Sequence, residues 1–352
     1  MVDYSIFYEN FKYYFCRNFL EFMKSKFTIS FIILLSIFLG CNDDIQKKDF
    51  VLQGEVFGTT YSITYLNASN NYQTSIDSLF LEFNQSLSTY IPTSDISKIN
   101  DGNTDIEVDD FFVEVFEKSK KIHQQTDGFF DPTVGNLVNA YGFGPEKGKL
   151  NPSDSLINQL MTAVGFEKVS LINRKIRKDN PTIYLDFNSI AKGFAIDIVA
   201  RFFDSKKIDS YLIEIGGEIR TKGLKKDQKP WSIQIVNPSN TEDENGFTIL
   251  KLSNISMATS GNYRKFRITD DGKKYVHTIN PKTGLAFESN LLSASVFTKT
   301  DCADADAYAT AFMAMGFEKA KLFLEKNSAI KAILIYTDEF KNIQVFDTFS
   351  EN

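Results

Sequence analysis

The sequence predicts an α+β fold in which helices pack against antiparallel sheets. Strand pairs are indicated where β-rich runs flank glycines, as in Tyr211–Gly223 around Gly216-Gly217. Helices are indicated where apolar residues recur every three or four positions, as in Ser75–Leu87 and Asp109–Gln125. No internal repeat or clear linker follows residue 50, and we expect one compact body with two lobes.

The composition is typical of a globular protein, with 352 residues of which 43% are hydrophobic and 24% are charged. The formal net charge of -6 argues against general nucleic-acid binding, which usually leaves a basic footprint. We therefore predict no nucleic-acid partner. Aromatic residues make up 14% of the chain, and some of them could stack on a planar ligand. Three cysteines are too few for a disulfide framework.

The N-terminal segment predicts export and a membrane anchor. Met23–Lys26 is short and basic, and the apolar run Phe27–Gly40 is shorter than the roughly 20 residues that a spanning helix needs. Leu39-Gly40-Cys41 resembles the lipobox of bacterial lipoproteins, although Phe38 stands where that pattern prefers leucine. We expect residues 1–41 to be a signal peptide that ends in lipidation of Cys41. An uncleaved membrane anchor is the alternative.

Residues 1–22 precede this signal awkwardly, so Met23 is a candidate start and the upstream segment a candidate over-extension of the gene model. Residues 42–50 are polar and charged and predict a tether, and residues 51–352 form the predicted domain. If Cys16 is removed and Cys41 is lipidated, Cys302 is the free thiol of the mature body.

Local patterns predict the elements of the domain in order. Val51–Leu66 indicates two strand-like pieces bent at Gly58. Thr126–Gly144 combines glycines and aromatics, which indicates a loop with a short helix where a planar ligand could approach the backbone. The other predicted elements are a helix within 151–165, strands Lys168–Ile172, Thr182–Asp186 and Trp231–Val236, a hairpin turning at Asp271-Gly272, strand Leu292–Thr298, helix Gly316–Lys326, and strands Ile330–Tyr336 and Asn342–Phe346.

A predicted helix begins near Asn188 or Ser189, both good N-caps, directly after a strand that ends at Asp186. The first turns of such a helix present free backbone amides to an anion. Lys192 lies in these turns and could meet a phosphate, although a solvated helix lysine is the ordinary alternative.

Thr300–Gly316 predicts a helix in which Asp306 and Thr310 lie four residues apart and share a face. A carboxylate and a hydroxyl one turn apart supply the hard oxygens that magnesium or calcium takes. The alternative is a buried core helix whose acids, including Asp301 and Asp304, only cap and solvate it. A face of small residues would let a neighbouring backbone or a ligand approach closely; it consists of Ala303, Ala307, Ala311 and Ala314.

Other common functional motifs are missing from the sequence: it has no Gly-x-Gly-x-x-Gly, P-loop, zinc spacing or Gly-x-Ser-x-Gly elbow. Of the two histidines, His123 lies in a predicted helix and is expected to be structural or at the surface. His277 precedes an Asn-Pro turn, and a lone histidine in a strand is more often packed than catalytic.

Taken in order, eight segments resemble the ApbE family of FAD:protein FMN transferases, many of which are periplasmic lipoproteins. The resemblance covers about residues 51–346. The segments are Phe57–Tyr61, Gly128–Gly135, Tyr141–Gly144, Asp186–Ala195, Ile215–Arg220, Ala258–Arg264, His277–Gly284 and Ala305–Ala311.

The resemblance implies a T-fold-related body that binds FAD with magnesium in the cleft between two lobes. It implies that the FAD pyrophosphate is cleaved, FMN passes to a threonine hydroxyl of an acceptor protein, and AMP leaves. The expected acceptor is a subunit of a membrane redox pump or an extracellular reductase, and the expected location is the bacterial cell envelope, facing the periplasm. Two alternatives are an FAD pyrophosphatase that yields FMN and AMP, and a non-enzymatic FAD-binding lipoprotein.

The resemblance also implies roles for single residues. Asp306 and Thr310 would bind the metal through side chains and Ser189 through its carbonyl, with Asn188-Ser189 replacing the Gly-Gly of many relatives. His277 is the candidate general base by residue type, with Asp306 or Asp304 as alternatives. Cys302 is expected to be an inert small residue. The residues expected to line the FAD site are Phe57 (methionine in some relatives), Tyr90, Phe129, Phe130, Asp131, Asp186, Lys192 and Ile279.

Overall fold

The structure is a computed structural model, and it describes Asn18 and residues 47–146, 151–234, 249–262, 266–268, 274–286 and 289–349. Several predicted features lie outside these residues: the signal peptide, Cys41, nearly all of residues 42–47 and the turn at Asp271-Gly272. The chain divides into two units, Met1–Lys47 and Lys48–Asn352, and the elements below belong to the second. No helix among the described residues is both long enough and apolar enough to cross a membrane.

Within the described ranges, eight strands form one fully antiparallel sheet in the order β1-β2-β5-β6-β9-β12-β13-β14. Three smaller two-stranded sheets pair β3 with β4, β7 with β8 and β10 with β11. The bounds are β1 Lys48–Val56, β2 Thr59–Ala68, β3 Val169–Ile172, β4 Lys175–Lys178, β5 Tyr211–Ile215, β6 Glu218–Lys222, β7 Trp231–Gln234, β8 Ile249–Leu252, β9 Ser256–Gly261, β10 Phe266–Ile268, β11 Lys274–Val276, β12 Leu291–Thr298, β13 Lys331–Thr337 and β14 Ile343–Asp347.

Helices pack against this sheet, which confirms the predicted α+β class. Several begin where the sequence places a capping side chain. For example, the Asp109 carboxylate accepts the N–H of Phe112 at 2.8 Å at the start of α3. The bounds are α1 Gln73–Leu87, α2 Asp95–Asn100, α3 Asp110–Gln125, α4 Gly135–Ala140, α5 Asp154–Met161, α6 Asn188–Ser205, α7 Cys302–Met315 and α8 Phe317–Lys326.

The main hydrophobic core lies between the sheet and helices α1, α3, α6 and α7. A second cluster is built on α4, α5 and the segment that follows β11, in line with the two predicted lobes; it comprises Leu137, Tyr141, Ile157, Val164, Tyr275, Ile279 and Ala286. A third, smaller cluster lies under β7 and β8 and includes Ile233, Leu252 and Phe297.

Two predicted features differ in the structure. Thr182–Asp186 is not a strand, because its backbone groups bond to other partners: the Asn100 side chain bonds both the N–H and the carbonyl of Leu185 at 2.8 Å. The strand that pairs with β3 is instead β4. Strand β1 begins at Lys48, inside the segment predicted as a tether.

The bend predicted at Gly58 is a two-residue hairpin turn between β1 and β2, since Val56 pairs with Thr59. Both turn residues lie in the left-handed region, with φ of +54° at Phe57 and +71° at Gly58. Such turns favour Asn-Gly because a side chain other than that of asparagine or aspartate is strained there. Phe57 therefore occupies an unfavourable backbone position.

Candidate active site

The candidate site begins where helices α6 and α7 cross. Gly193 of α6 makes this crossing possible, because a Cβ there would lie 2.5 Å from the Cys302 carbonyl oxygen and 2.8 Å from the Cα of Ala303. At Ala303, the small-residue face of α7 thus meets a neighbouring backbone. The two helix axes can approach closely enough for backbone groups of α6 to bond side chains of α7.

The crossing places a backbone N–H of α6 against a carboxylate of α7. The N–H of Gly193 donates to Asp306 Oδ2 at 3.1 Å. In an α-helix the N–H of residue i+4 faces the carbonyl of residue i, so the Ser189 carbonyl and the Asp306 carboxylate share this neighbour. By this geometry, two of the three groups that the resemblance implies as metal ligands border the same N–H.

Asp306 and Thr310 occupy successive turns of α7. Asp306 is only 3% exposed, and burial raises the pKa of its carboxyl against the opposing effects of Lys192 and the Gly193 N–H. Thr310 is partly exposed, and its hydroxyl lies 3.4 Å from the Ser260 hydroxyl at the end of β9. A buried carboxylate and an accessible hydroxyl on one helix face can provide two hard-oxygen ligands to a cation.

Lys192 points its ammonium at a second buried carboxylate, that of Glu218 at the start of β6. Nζ of Lys192 lies 3.3 Å from Oε1 of Glu218. Burial alone would lower the pKa of Lys192, but the charges of Glu218 and Asp306 outweigh it and hold the pKa above its usual value. Lys192 is thus not a solvated helix lysine.

Glu218 is not among the site residues predicted from the sequence. Its position directly after the Gly216-Gly217 turn could have marked it as a candidate site residue. Burial raises the pKa of Glu218 to about 8, with Lys192 opposing the shift and Asp306 adding to it. The cluster of Lys192, Glu218 and Asp306 therefore holds two carboxyl groups against one ammonium in a low-dielectric setting.

Thr126–Gly144 is a loop followed by the short helix α4, as predicted. The end of α3 fixes the loop: the Thr126 hydroxyl accepts the Phe130 N–H at 3.1 Å, and Nδ1 of His123 lies 2.9 Å from the Phe130 carbonyl oxygen. His123 thus helps to hold this loop against the end of α3. The Phe130 side chain is buried in the main core.

Asp131 organises the next turn of this loop. Its carboxylate accepts the N–H of Thr133 at 2.8 Å and the N–H of Phe166 at 3.2 Å. Burial raises the pKa of Asp131, while the Thr133 bonds and the neighbouring His123 oppose that rise. Phe130 and Asp131 thus stabilise the loop, the first by its buried ring and the second by its hydrogen bonds to backbone N–H groups.

Asp186 and Tyr90 lie near the N-terminus of α6. The Asp186 carboxylate accepts the N–H of Asn188 at 2.7 Å, and burial raises its pKa against that bond. Helix α6 has Phe187 as its N-cap residue, and the Phe187 side chain makes no capping hydrogen bond. The prediction that Asn188 or Ser189 is the N-cap residue is therefore wrong. Burial and the charge of Asp186 raise the pKa of Tyr90, whose side chain is still 58% exposed.

Two lysines cover the Phe129 ring at the edge of the loop. Nζ of Lys319 lies 4.7 Å and Nζ of Lys282 5.8 Å from the ring centroid. The Lys282 contact brings the segment 277–284 against the glycine-rich loop. A second contact, from the Asn280 amide to the Ala314 carbonyl at 3.3 Å, joins this segment to α7 one turn beyond Thr310.

His277 begins this segment directly after β11 and is partly exposed. Ile279, predicted to line the FAD site, is 5% exposed and belongs to the second hydrophobic cluster. Phe57 packs edge-on against Phe80 and Phe83 of α1, with ring centroids 5.5 and 5.0 Å apart.

Asp301 is the N-cap residue of α7, but its side chain does not bond the first turn, and both Asp301 and Asp304 form ion pairs and are not simply solvated. Asp301 lies 2.7 Å from Lys118 and 3.0 Å from Arg220, and Asp304 lies 3.2 Å from Lys118. Lys118 and Arg220 outweigh burial and lower the pKa of Asp301.

The first turn of α7 is capped instead by Asp197 of α6. Its carboxylate accepts the N–H groups of Cys302 and Ala303 at 2.8 and 2.9 Å, and it also pairs with Arg220. The Cys302 thiol is fully buried and its pKa is raised by burial, as expected of an inert residue.

Comparison with known proteins places this geometry in a family. A model of the ApbE family matches residues 57–334 of the chain. The chain belongs to the ApbE family. The family match spans both α6 and α7, and therefore the whole crossing described above.

Curated relatives and solved structures of the ApbE family cover most of the chain. It is 35% identical over 313 residues to a Vibrio cholerae protein named FAD:protein FMN transferase, covering 87% of this chain and 92% of the relative. It is 35% identical over 307 residues to a Haemophilus influenzae protein of the same name, covering 83% of this chain and 88% of the relative. The solved flavin transferase ApbE from Vibrio cholerae superimposes with a TM-score of 0.78 at 34% identity, covering 86% of this chain and 97% of that one.

Proposed function

We propose that this ApbE-family chain transfers FMN from FAD to a threonine hydroxyl of an acceptor protein. The observation that carries the proposal is the convergence of the Gly193 N–H, Lys192, Glu218 and Asp306 at the α6–α7 crossing. Relatives that share this region are named FAD:protein FMN transferase. A protein that only stored a flavin would have no use for a buried cluster of carboxylates and an ammonium beside a helix N-terminus.

The residues present fit a magnesium ion. Asp306, Thr310 and the Ser189 carbonyl offer oxygen ligands, which magnesium prefers. Asp306 and Glu218 are both buried, and Lys192 contacts one of them and interacts with the other through its charge, so one more positive charge would relieve the repulsion between the two carboxylates. When bound, magnesium would neutralise charge that develops on the pyrophosphate oxygens.

The proposed step is a displacement at the phosphorus of the FMN half. The threonine oxygen forms a bond to this phosphorus, the P–O bond of the phosphoanhydride breaks, and AMP leaves with the bridging oxygen and its electron pair. The hydroxyl proton passes to a base, for which His277 is the candidate by residue type. Lys192 would bind a phosphate oxygen through its ammonium group.

We further propose that the chain works in the cell envelope as a lipoprotein. The support is sequence alone: the basic and apolar run up to Cys41 precedes the first strand. The acceptor would then be an envelope protein, and a redox-pump or extracellular-reductase subunit is our proposal. Replacing Cys41 by serine should release the chain from the membrane fraction, and an unchanged distribution would argue against lipidation there.

The experiment for the function combines full-length chain, FAD, magnesium and a candidate acceptor. We expect a flavin-labelled acceptor by mass spectrometry and one AMP per label. AMP and free FMN in the absence of acceptor would instead identify an FAD pyrophosphatase. FAD binding without any AMP release would identify a flavin-binding protein and overturn the proposal.

A further inference from the structure

Glu218 is a buried carboxylate at the start of β6. It follows the Gly216-Gly217 turn, both of whose residues have positive φ, and it is 4% exposed. Among the described residues, its Oε2 atom has no hydrogen-bond partner. A buried carboxylate oxygen without a donor destabilises a protein, so a purely structural residue at this position would be expected to be apolar or fully bonded.

The other oxygen of Glu218 holds Lys192. Oε1 lies 3.3 Å from the Lys192 ammonium, whose side chain keeps 29% exposure on the open side. Asp306 also acts on Lys192 through its charge. Lys192 thus has two carboxylates within its reach, and Glu218 is the one in contact with it.

This arrangement has a consequence for Asp306. If Glu218 were absent, the Lys192 ammonium would be drawn toward Asp306, the remaining buried carboxylate that acts on it. An ammonium on Asp306 would compete with any divalent cation for the same oxygens, because both need the ionised carboxylate. Asp306 Oδ2 already accepts the Gly193 N–H, so an ammonium and a divalent cation would compete for the remaining acceptor sites of this carboxylate.

We infer that Glu218 is a positioning residue that holds Lys192 away from Asp306, so that Asp306 stays available to a divalent cation. The inference rests on the proposed function, since it gives Lys192 and Asp306 the separate tasks of binding phosphate and metal.

The test uses full-length chain in detergent without FAD, at about pH 8.5 so that the Glu218 carboxyl, whose pKa is raised to about 8, is largely ionised, and Mn²⁺ alone as the probe. The electron paramagnetic resonance signal of free Mn²⁺ reports the dissociation constant. We expect Glu218→Gln to weaken Mn²⁺ binding by about tenfold, because the freed ammonium moves onto Asp306. The double variant Glu218→Gln with Lys192→Met should regain affinity to within about threefold of wild type.

Two further variants separate position from charge. Glu218→Asp keeps the charge but withdraws the carboxylate by one methylene, so it should weaken Mn²⁺ binding as Glu218→Gln does. Glu214→Gln removes the same charge from the preceding strand, where Glu214 bonds the Gly217 N–H at 2.6 Å, and it should leave Mn²⁺ binding unchanged. Wild-type affinity in Glu218→Asp or Glu218→Gln, or a double variant as weak as Glu218→Gln, would overturn the inference.

The stability of these variants gives an independent readout. A structural residue would lower the metal-free midpoint of thermal unfolding when replaced, whereas Glu218→Gln should leave it unchanged or raise it. A lowered midpoint with unchanged Mn²⁺ binding would make Glu218 structural. Absence of FMN transfer by wild type, with the Mn²⁺ results as expected, would overturn the proposed function and leave the positioning role standing.

Discussion

Phe57 carries an aromatic ring on a backbone that favours asparagine or glycine. Its φ of +54° lies in the left-handed region, and holding a bulky residue there costs about 1–3 kcal/mol. The neighbouring turn of β5 and β6 bonds the same hairpin, through the Gly216 N–H and the Thr60 carbonyl at 3.0 Å. Because strained residues cluster at functional sites, this position supports our proposal that Phe57 contacts the flavin.

We expect Phe57→Asn to change the free energy of unfolding by less than about 1.5 kcal/mol, because relief of backbone strain offsets the lost ring contacts. FAD affinity, followed by flavin fluorescence, should fall by at least tenfold. Phe80→Ala is the comparison, since Phe80 is 5% exposed in α1 and should cost about 3–5 kcal/mol. Equal losses of stability in the two variants, with FAD affinity retained, would make Phe57 a core residue only.

Asp306 offers the sharpest test of the proposed metal ligand. Asp306→Asn keeps the shape and can still accept the Gly193 N–H, but it removes the charge that a cation needs. We expect FMN transfer to fall by at least about 100-fold, with the unfolding midpoint within a few degrees of wild type. The comparison is Asp304→Asn, because the Asp304 carboxylate pairs with Lys118 and not with the site. A large loss of FMN transfer in Asp304→Asn would instead support Asp304 as the general base.

At the scale of elements, the crossing of α6 and α7 depends on the absence of a Cβ atom at Gly193. Alanine in place of glycine normally stabilises a helix by about 0.5–1 kcal/mol. At Gly193 the added Cβ would lie 2.5 Å from a backbone oxygen of α7, so the sign should reverse. We expect Gly193→Ala to lower the free energy of unfolding by about 2 kcal/mol and to abolish transfer, as measured by urea denaturation and AMP release. A stabilised Gly193→Ala protein would show that the helices lie further apart.

The ion pairs between β6, α3, α6 and α7 should be unequal in strength. Arg220 contacts both Asp197 and Asp301, and Asp197 is completely buried. We expect Arg220→Met to cost about 3–5 kcal/mol, because it leaves a buried charge without its cation. Lys118→Met should cost less than about 2 kcal/mol, since Asp301 keeps Arg220 as a partner. Denaturation curves that rank the two variants in the opposite order would contradict this account.

These elements also show what the sequence could predict. The helix that holds Asp306 and Thr310 was predictable because its spacing is local, and so were both strands around Gly216-Gly217. The partners of Asp301, Glu218 and Asp197 were not, since each lies on an element distant in sequence. Thr182–Asp186 has a strand-like composition, but its backbone groups bond Asn100 and Pro132 instead of another strand. Hydrogen-bond partners from remote segments decide such cases, and a local pattern does not contain them.

At the scale of the whole molecule, the site lies where α6, α7 and β6 meet beside the main core. Carboxylates enclosed there couple the stability of the entire domain to their protonation. Binding of a cation to the folded state would likewise stabilise the domain as a whole, in proportion to the logarithm of its concentration.

Glu218 makes this coupling measurable. The pKa of Glu218 is about 8 in the folded protein, above its ordinary value of 4.5. Between pH 4.5 and pH 8, the carboxyl is therefore protonated in the folded state and ionised in the unfolded state. Metal-free stability should therefore fall as pH rises from about 5 to about 8, by on the order of 4 kcal/mol at most. Urea denaturation in a chelator across this range measures the slope. Glu218→Gln should make the unfolding free energy nearly independent of pH in this range, and Glu214→Gln should reduce the slope far less. An equal slope in wild type and Glu218→Gln would mean that the pH dependence comes from another group. Saturating magnesium should reduce the fall in wild type, because a cation that favours the ionised carboxylates stabilises the folded state most where they are deprotonated.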